Sequence, residues 1–88
     1  MHYILFYDYV KDVAERRAPY REGHLANIHA ERDAGRLVMA GALGDPMHGG
    51  VLIFKDVEPT AIERFVAADP YMEAGLIAAH RIEPWNVV

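Results

Sequence analysis

Arg36-Leu37-Val38-Met39-Ala40-Gly41-Ala42-Leu43, Gly44-Asp45-Pro46-Met47-His48-Gly49 and Gly50-Val51-Leu52-Ile53-Phe54-Lys55 follow one another without interruption. The outer two segments are apolar runs of strand length, and Val51, Ile53 and Phe54 favour extended backbone. The middle segment collects Gly, Asp and Pro, residues that preset turn geometry. The stretch therefore predicts an antiparallel hairpin at the centre of the chain. Upstream, His2 to Tyr9 (HYILFYDY) is rich in aromatic and β-branched residues and reads as a strand. Val10 to Ala18 is charged and without a clean period. Pro19 suits the first turn of a helix, where its missing N–H costs nothing. Tyr20, His24, Leu25 and Ile28 then recur at helical spacing, and Gly35 is placed to end the helix in a left-handed cap. Downstream, Pro59 opens a second helix with Ile62, Phe65 and Val66 on its buried face. Pro70 disfavours helical geometry at Asp69 and ends it. Pro70 to Leu76 reads as a further short helical turn and His80 to Val88 (HRIEPWNVV) as the last strand. Pro84 cannot donate to a ladder, so that strand should have an edge or a bulge.

The resulting order, β-α-β-β-α-β, is the split βαβ arrangement of ferredoxin-like α+β folds. Such a fold carries a four-stranded antiparallel sheet with both helices on one face. The strands do not alternate apolar and polar residues. Ile4 to Tyr7, Leu37 to Ala40 and Val51 to Phe54 are unbroken apolar runs, and adjacent side chains in a strand point to opposite faces. Two helices cover only one face, so a second copy of the sheet is expected on the other, giving a homodimer.

Bulk properties narrow the field. The chain has 88 residues, 52% of them hydrophobic, and a formal net charge of −4. That length suits one domain spanning residues 1–88. The acidic balance argues against a nucleic-acid partner, which needs a basic face. There is no cysteine, so thiolate metal sites and thiol nucleophiles are absent. No apolar run nears the ~20 residues that span a bilayer, and no signal-peptide pattern is present. The expectation is a soluble, cytoplasmic protein without a membrane partner.

Two polar segments stand out against this apolar background, Arg21-Glu22-Gly23-His24-Leu25 and Ala68-Asp69-Pro70-Tyr71. Histidine is the side chain best suited to proton transfer near neutral pH. Asp69 before Pro70 is a favoured helix N-cap. One carboxylate oxygen can cap while the other accepts from an imidazole and fixes its tautomer. His24 and Asp69 are thus the candidate catalytic pair if the fold brings them together. Arg21 is placed to bind a substrate carboxylate or phenolate. Tyr71 and Trp85 are candidates to wall a ligand pocket. Gly41, inside a strand, suggests close approach of backbone or ligand, and Tyr7 at the end of the first strand is a further candidate for the same cavity. Metal ligation fits poorly. His24 and His29 point to different sides of a helix, and neither HExxH nor paired cysteines occur. Nucleotide-binding glycine loops are also missing, so no cofactor is expected.

At these residues the sequence resembles the YciI-like (YCII-related) family. The resemblance rests on Arg21-x-x-His24-Leu25, on Gly35-Arg36-Leu37-Val38-x-Ala40-Gly41, on Ala68-Asp69-Pro70-Tyr71-x-x-x-Gly75-Leu76 and on Glu83-Pro84-Trp85. It implies a ferredoxin-like fold that dimerises as an α/β barrel, and a histidine–aspartate dyad that carries over to His24 and Asp69. Some members of the family are linked to aromatic-compound breakdown, including dehydrochlorination. Gly41-Ala42 stands where the family commonly has Gly-Pro, and the Gly44 to Gly49 loop is short for it.

Two functional readings follow. One is a small-molecule enzyme performing acid–base isomerisation or elimination through His24 and Asp69. The other is a non-catalytic module of the same fold that binds a small ligand or joins an assembly. Haem chemistry, by analogy with other barrels of this shape, ranks below both, and RNA binding ranks last.

Overall fold

The computed structural model describes residues 1–88. Its elements are β1 (His2–Tyr9), α1 (Val13–Arg16), α2 (Ala18–Asp33), β2 (Leu37–Leu43), β3 (Gly49–Lys55), α3 (Pro59–Ala68), α4 (Pro70–Glu73) and β4 (Ile77–Trp85). The four strands form one antiparallel sheet in the order β2-β3-β1-β4. The central hairpin is present as β2 and β3, and β1 runs over the residues expected of it. The last strand starts three residues earlier than its sequence suggested and stops at Trp85. Pro84 is tolerated because β4 is an edge strand, bonded on one side to β1. The bulge in that pairing lies at its other end, opposite Asp8 and Tyr9.

Proline and glycine set the helix limits. Pro19 and Pro59 each sit in the first turn of a helix, where no intrahelical donor is lost. Gly35 adopts φ +80°, while its N–H bonds to Arg32 and that of Arg36 to Glu31. This is the paired closure by which a left-handed residue satisfies the last carbonyls of a helix. The unperiodic Val10 to Ala18 segment holds α1, one turn that buries Val13.

The core lies between the sheet and the helices. Leu5 and Tyr7 of β1, Leu52 and Phe54 of β3 and Leu37 of β2 meet Ile28, Ile62, Phe65, Val66 and Leu76. No helix is long and apolar enough to cross a membrane.

The expected dimeric α/β barrel is not supported. The sheet is open, with β2 and β4 as free edges. The face away from the helices is also less bare than the apolar runs suggested. The Arg81 guanidinium lies 4.0 Å over the Phe6 ring. Trp85 packs edge-on to His2, with ring centroids 6.3 Å apart. Asp8 and Glu83 share that face, because the register sets Glu83 opposite Ile4 and Ala79 opposite Asp8. Ile4, Phe6, Val51 and Ile53 are half-buried as a result. The homodimer inferred from the unbroken runs loses its basis with the barrel. The runs reported burial beside neighbouring strands and a stacked cation as much as a missing cover.

Candidate active site

α2 and α4 cross at a glycine. A Cβ on Gly23 would stand 3.0 Å from Cγ of Pro70, so the small residue lets the two helices close up. One turn along, the Asn27 amide donates to the Ala68 carbonyl at 3.1 Å. The crossing sets His24, next to Gly23, against Asp69, next to Pro70. The proline holds Asp69 in extended backbone, φ −71° and ψ 122°, between the end of α3 and the start of α4. In that position the carboxylate caps α4 by accepting from the Tyr71 N–H at 2.9 Å.

Asp69 is 1% exposed and accepts two further bonds. His24 Nδ1 lies 2.9 Å from Oδ1 and 3.0 Å from Oδ2. The Tyr7 hydroxyl donates to Oδ2 at 2.9 Å. The Tyr7 O–H and the Tyr71 N–H donate to this carboxylate, which can only accept, so Nδ1 meets it as a donor and carries the imidazole proton. Nε2 is left with no protein partner. No buried side-chain nitrogen or oxygen lacks a hydrogen bond, so Nε2 keeps an open approach. The imidazole is further held by the Tyr71 ring, parallel within 3° at a centroid distance of 3.8 Å. Tyr9 closes the aromatic set edge-on to Tyr71 at 6.0 Å.

His24 lines a cavity of about 180 Å³ between α2 and the β2 edge of the sheet. Arg21, Gly41 and Tyr71 line it together with His24, so four of the residues singled out in the sequence meet there, with Asp69 directly behind. A Cβ on Gly41 would meet nothing within 4 Å. That glycine borders the cavity without being demanded by close approach. Tyr7 is not a wall of the cavity. It is fully buried beneath Asp69, because its inward register position on β1 faces the start of α4. Trp85 lies outside the cavity, 41% exposed at the far end of β4. Tyr20, assigned to the His24 face, is 40% exposed and does not line the cavity.

Arg17, Arg32, Tyr9 and Met47 also line the cavity and were not singled out. Arg17 lies four residues before Arg21, so the His24 stripe extended one turn upstream would have found it. The irregular helix start around Pro19 hid it.

Electrostatics follow from burial. Burial first, then the charge of Asp69, pushes the Tyr7 hydroxyl far above its ordinary value of 10.0. Tyr9 is raised for the same reasons in the same order. Tyr71 is raised by burial, against the opposing charges of Arg17 and Arg21.

The YCII-related domain model matches residues 1–86. An uncharacterized protein of Haemophilus influenzae is 30% identical over 97 aligned positions that cover 100% of this chain and 99% of that protein. Protein YciI of Escherichia coli is 29% identical over the same span and coverage. Among solved structures, the 5-chloro-2-hydroxyhydroquinone dehydrochlorinase of Burkholderia phenoliruptrix, in complex with 2,5-dihydroxybenzoquinone, superposes with a TM-score of 0.82. The match is at 23% identity and covers 98% of this chain and 94% of that one. Protein Atu4242 of Agrobacterium tumefaciens gives a TM-score of 0.57 at 17% identity, over 94% and 89% of the two chains. The likeness to both structures is one of fold. The nearly full-length match to the family model, with a relative 30% identical along the whole chain, places this protein in the YCII-related domain family.

Proposed function

We propose that this protein is a small-molecule enzyme in which His24 transfers a proton and Asp69 orients it. The carrying observation is the asymmetry of the imidazole. Nδ1 is tied to a buried carboxylate, while Nε2 has no protein partner and the residue lines a cavity. A neutral imidazole so held presents a lone pair to a substrate C–H or O–H. When Nε2 takes that proton, positive charge appears on a ring whose other nitrogen already touches a carboxylate, which stabilises the imidazolium. Returning the proton to another substrate atom completes an isomerisation. Delivering it to a departing group completes an elimination. Both cycles restore the neutral ring. Arg21 is suited to hold an anionic oxygen of the substrate, and Tyr71 keeps the imidazole plane fixed.

The dehydrochlorinase that shares the fold suggests where to look, namely among halogenated and hydroxylated ring compounds. The test is a turnover screen over such compounds followed by His24→Ala, with circular dichroism to confirm folding. General acid–base catalysis contributes about 10²–10⁴ in rate, and the variant should lose that factor. Undiminished turnover by folded His24→Ala would overturn the assignment. The cap that Asp69 provides to α4 favours one second reading, a binding module in which the pair is purely structural. Ligand binding with no turnover across the screen would select it.

A further inference from the structure

The chain is acidic overall, with a net charge of −4, yet its cavity is lined by Arg17, Arg21 and Arg32 and by no carboxylate side chain. Of the arginines outside it, Arg64 on α3 pairs with no carboxylate, and the other three do. Arg16 pairs with Asp12, Arg36 with Glu31 and Arg81 with Glu83. The three in the cavity pair with no carboxylate. Arg17 approaches two neutral acceptors, the Met47 sulfur at 3.6 Å and the Tyr71 hydroxyl. Unpaired guanidiniums gathered in a concave site mark a place for an anion.

Position divides the three. Arg17 and Arg21 are one turn apart and adjoin His24, which follows Arg21 by three residues on the same face of α2. Their charges converge on the Tyr71 ring that stacks on the imidazole, since both act to lower that hydroxyl's pKa. Arg32 lies eight residues beyond His24, which is about 12 Å along a helix axis. Size is a second constraint. A cavity of about 150 Å³ accepts one benzene ring, and this one measures about 180 Å³.

We propose that Arg17 and Arg21 together form an anion site beside His24, and that the substrate is a single-ring molecule whose carboxylate or phenolate oxygen those two guanidiniums bind. This rests on reading the cavity as a substrate site. It adds a second binding residue, Arg17, and a size limit of one ring. Two cations lining the same cavity as His24 also stabilise the negative charge that a substrate gains when it surrenders a proton there.

Calorimetric titration of the full chain tests it with three probes: benzoate, 4-nitrophenolate at a pH where it is ionised, and neutral benzamide. At least one anion should bind about tenfold or more tightly than benzamide. The tighter of the two identifies the oxygen as carboxylate or phenolate. Arg17→Met and Arg21→Met should each remove most of that preference, whereas Arg32→Met should change it by less than about threefold. Arg17→Lys, which keeps the charge and loses the planar fork, should retain part of it. Benzamide binding as tightly as both anions, a preference that survives in both variants, equal damage from Arg32→Met, or no binding of any probe would each overturn the proposal. Binding and catalysis fail separately. Anion preference without turnover keeps this site and removes the enzyme reading. Turnover confined to neutral rings, unchanged in Arg17→Met, does the reverse.

Discussion

The His24 and Tyr71 rings lie parallel, 3° apart in orientation and 3.8 Å between centroids. Tyr71 also donates its backbone N–H to the same Asp69 carboxylate that holds His24 Nδ1. Three consecutive residues, Asp69-Pro70-Tyr71, therefore fix the imidazole by its edge and by its face. Such double restraint leaves Nε2 pointing one way, as proton transfer requires.

Removing the face restraint should cost rate more than binding. Tyr71→Leu keeps bulk but loses the stack, and its kcat should fall about tenfold while KM moves less than about threefold. Tyr71→Phe keeps the ring and should stay within about threefold of the parent. Steady-state kinetics on any substrate found by screening checks both.

The edge restraint carries folding as well as chemistry. Asp69→Ala strands three donors, from His24, Tyr7 and Tyr71, in a buried site. Urea denaturation should show a loss of about 3–5 kcal/mol. Asp69→Asn keeps the shape and the cap but no longer favours the Nδ1–H tautomer. It should lose less stability and still lose about 10²-fold or more in kcat.

Much of this was legible from residue types with hard backbone rules. Pro59, Pro70 and Gly35 placed helix limits correctly because each restricts φ or demands a left-handed turn. Asp69 was doubly marked, before a proline and at a helix start, and both roles hold in the structure. What the sequence hid were features decided by packing. Tyr7 looked like a cavity wall because register alone does not say how deep a side chain lies. Trp85 looked like a pocket aromatic, but its place at the end of β4 carries it to the far side of the sheet from His24. The homodimer was inferred from apolar runs whose outer half is partly covered by Arg81 and neighbouring strands, and the barrel came from the family resemblance alone. Gly23 gave no local signal, since its role depends on Pro70 far along the chain.

That crossing gives a third prediction. Gly23→Val puts branched atoms where Pro70 already stands within 3.0 Å of a single added carbon. Overpacking of this kind should cost about 1–3 kcal/mol. Turnover should fall by more than the folded fraction, because separating α2 from α4 separates His24 from Asp69. Comparing activity with circular dichroism on one sample distinguishes the two losses.

Alkaline pH supplies a fourth. Tyr7 and Tyr9 ionise far above 10.0 in the folded protein, chiefly because they are buried and secondly because Asp69 is near. In the unfolded chain they ionise near the ordinary value. Below about pH 10 both states keep these phenols protonated and stability is intact. Above it the unfolded state alone loses protons, so stability falls as pH rises, by up to about 1.4 kcal/mol per pH unit for each group. Urea midpoints should hold steady up to about pH 9 and then decline, and Tyr7→Phe should make the decline shallower.

The central claim is that the imidazole keeps its proton on Nδ1 and offers Nε2 to the cavity. Long-range nitrogen–proton NMR on histidine-labelled protein reads this directly. The account predicts that neutral His24 is the Nδ1–H tautomer, with Nε2 bare and its resonance moved by a ligand in the cavity. Finding the proton on Nε2, or a resonance indifferent to every ligand that binds, would contradict it.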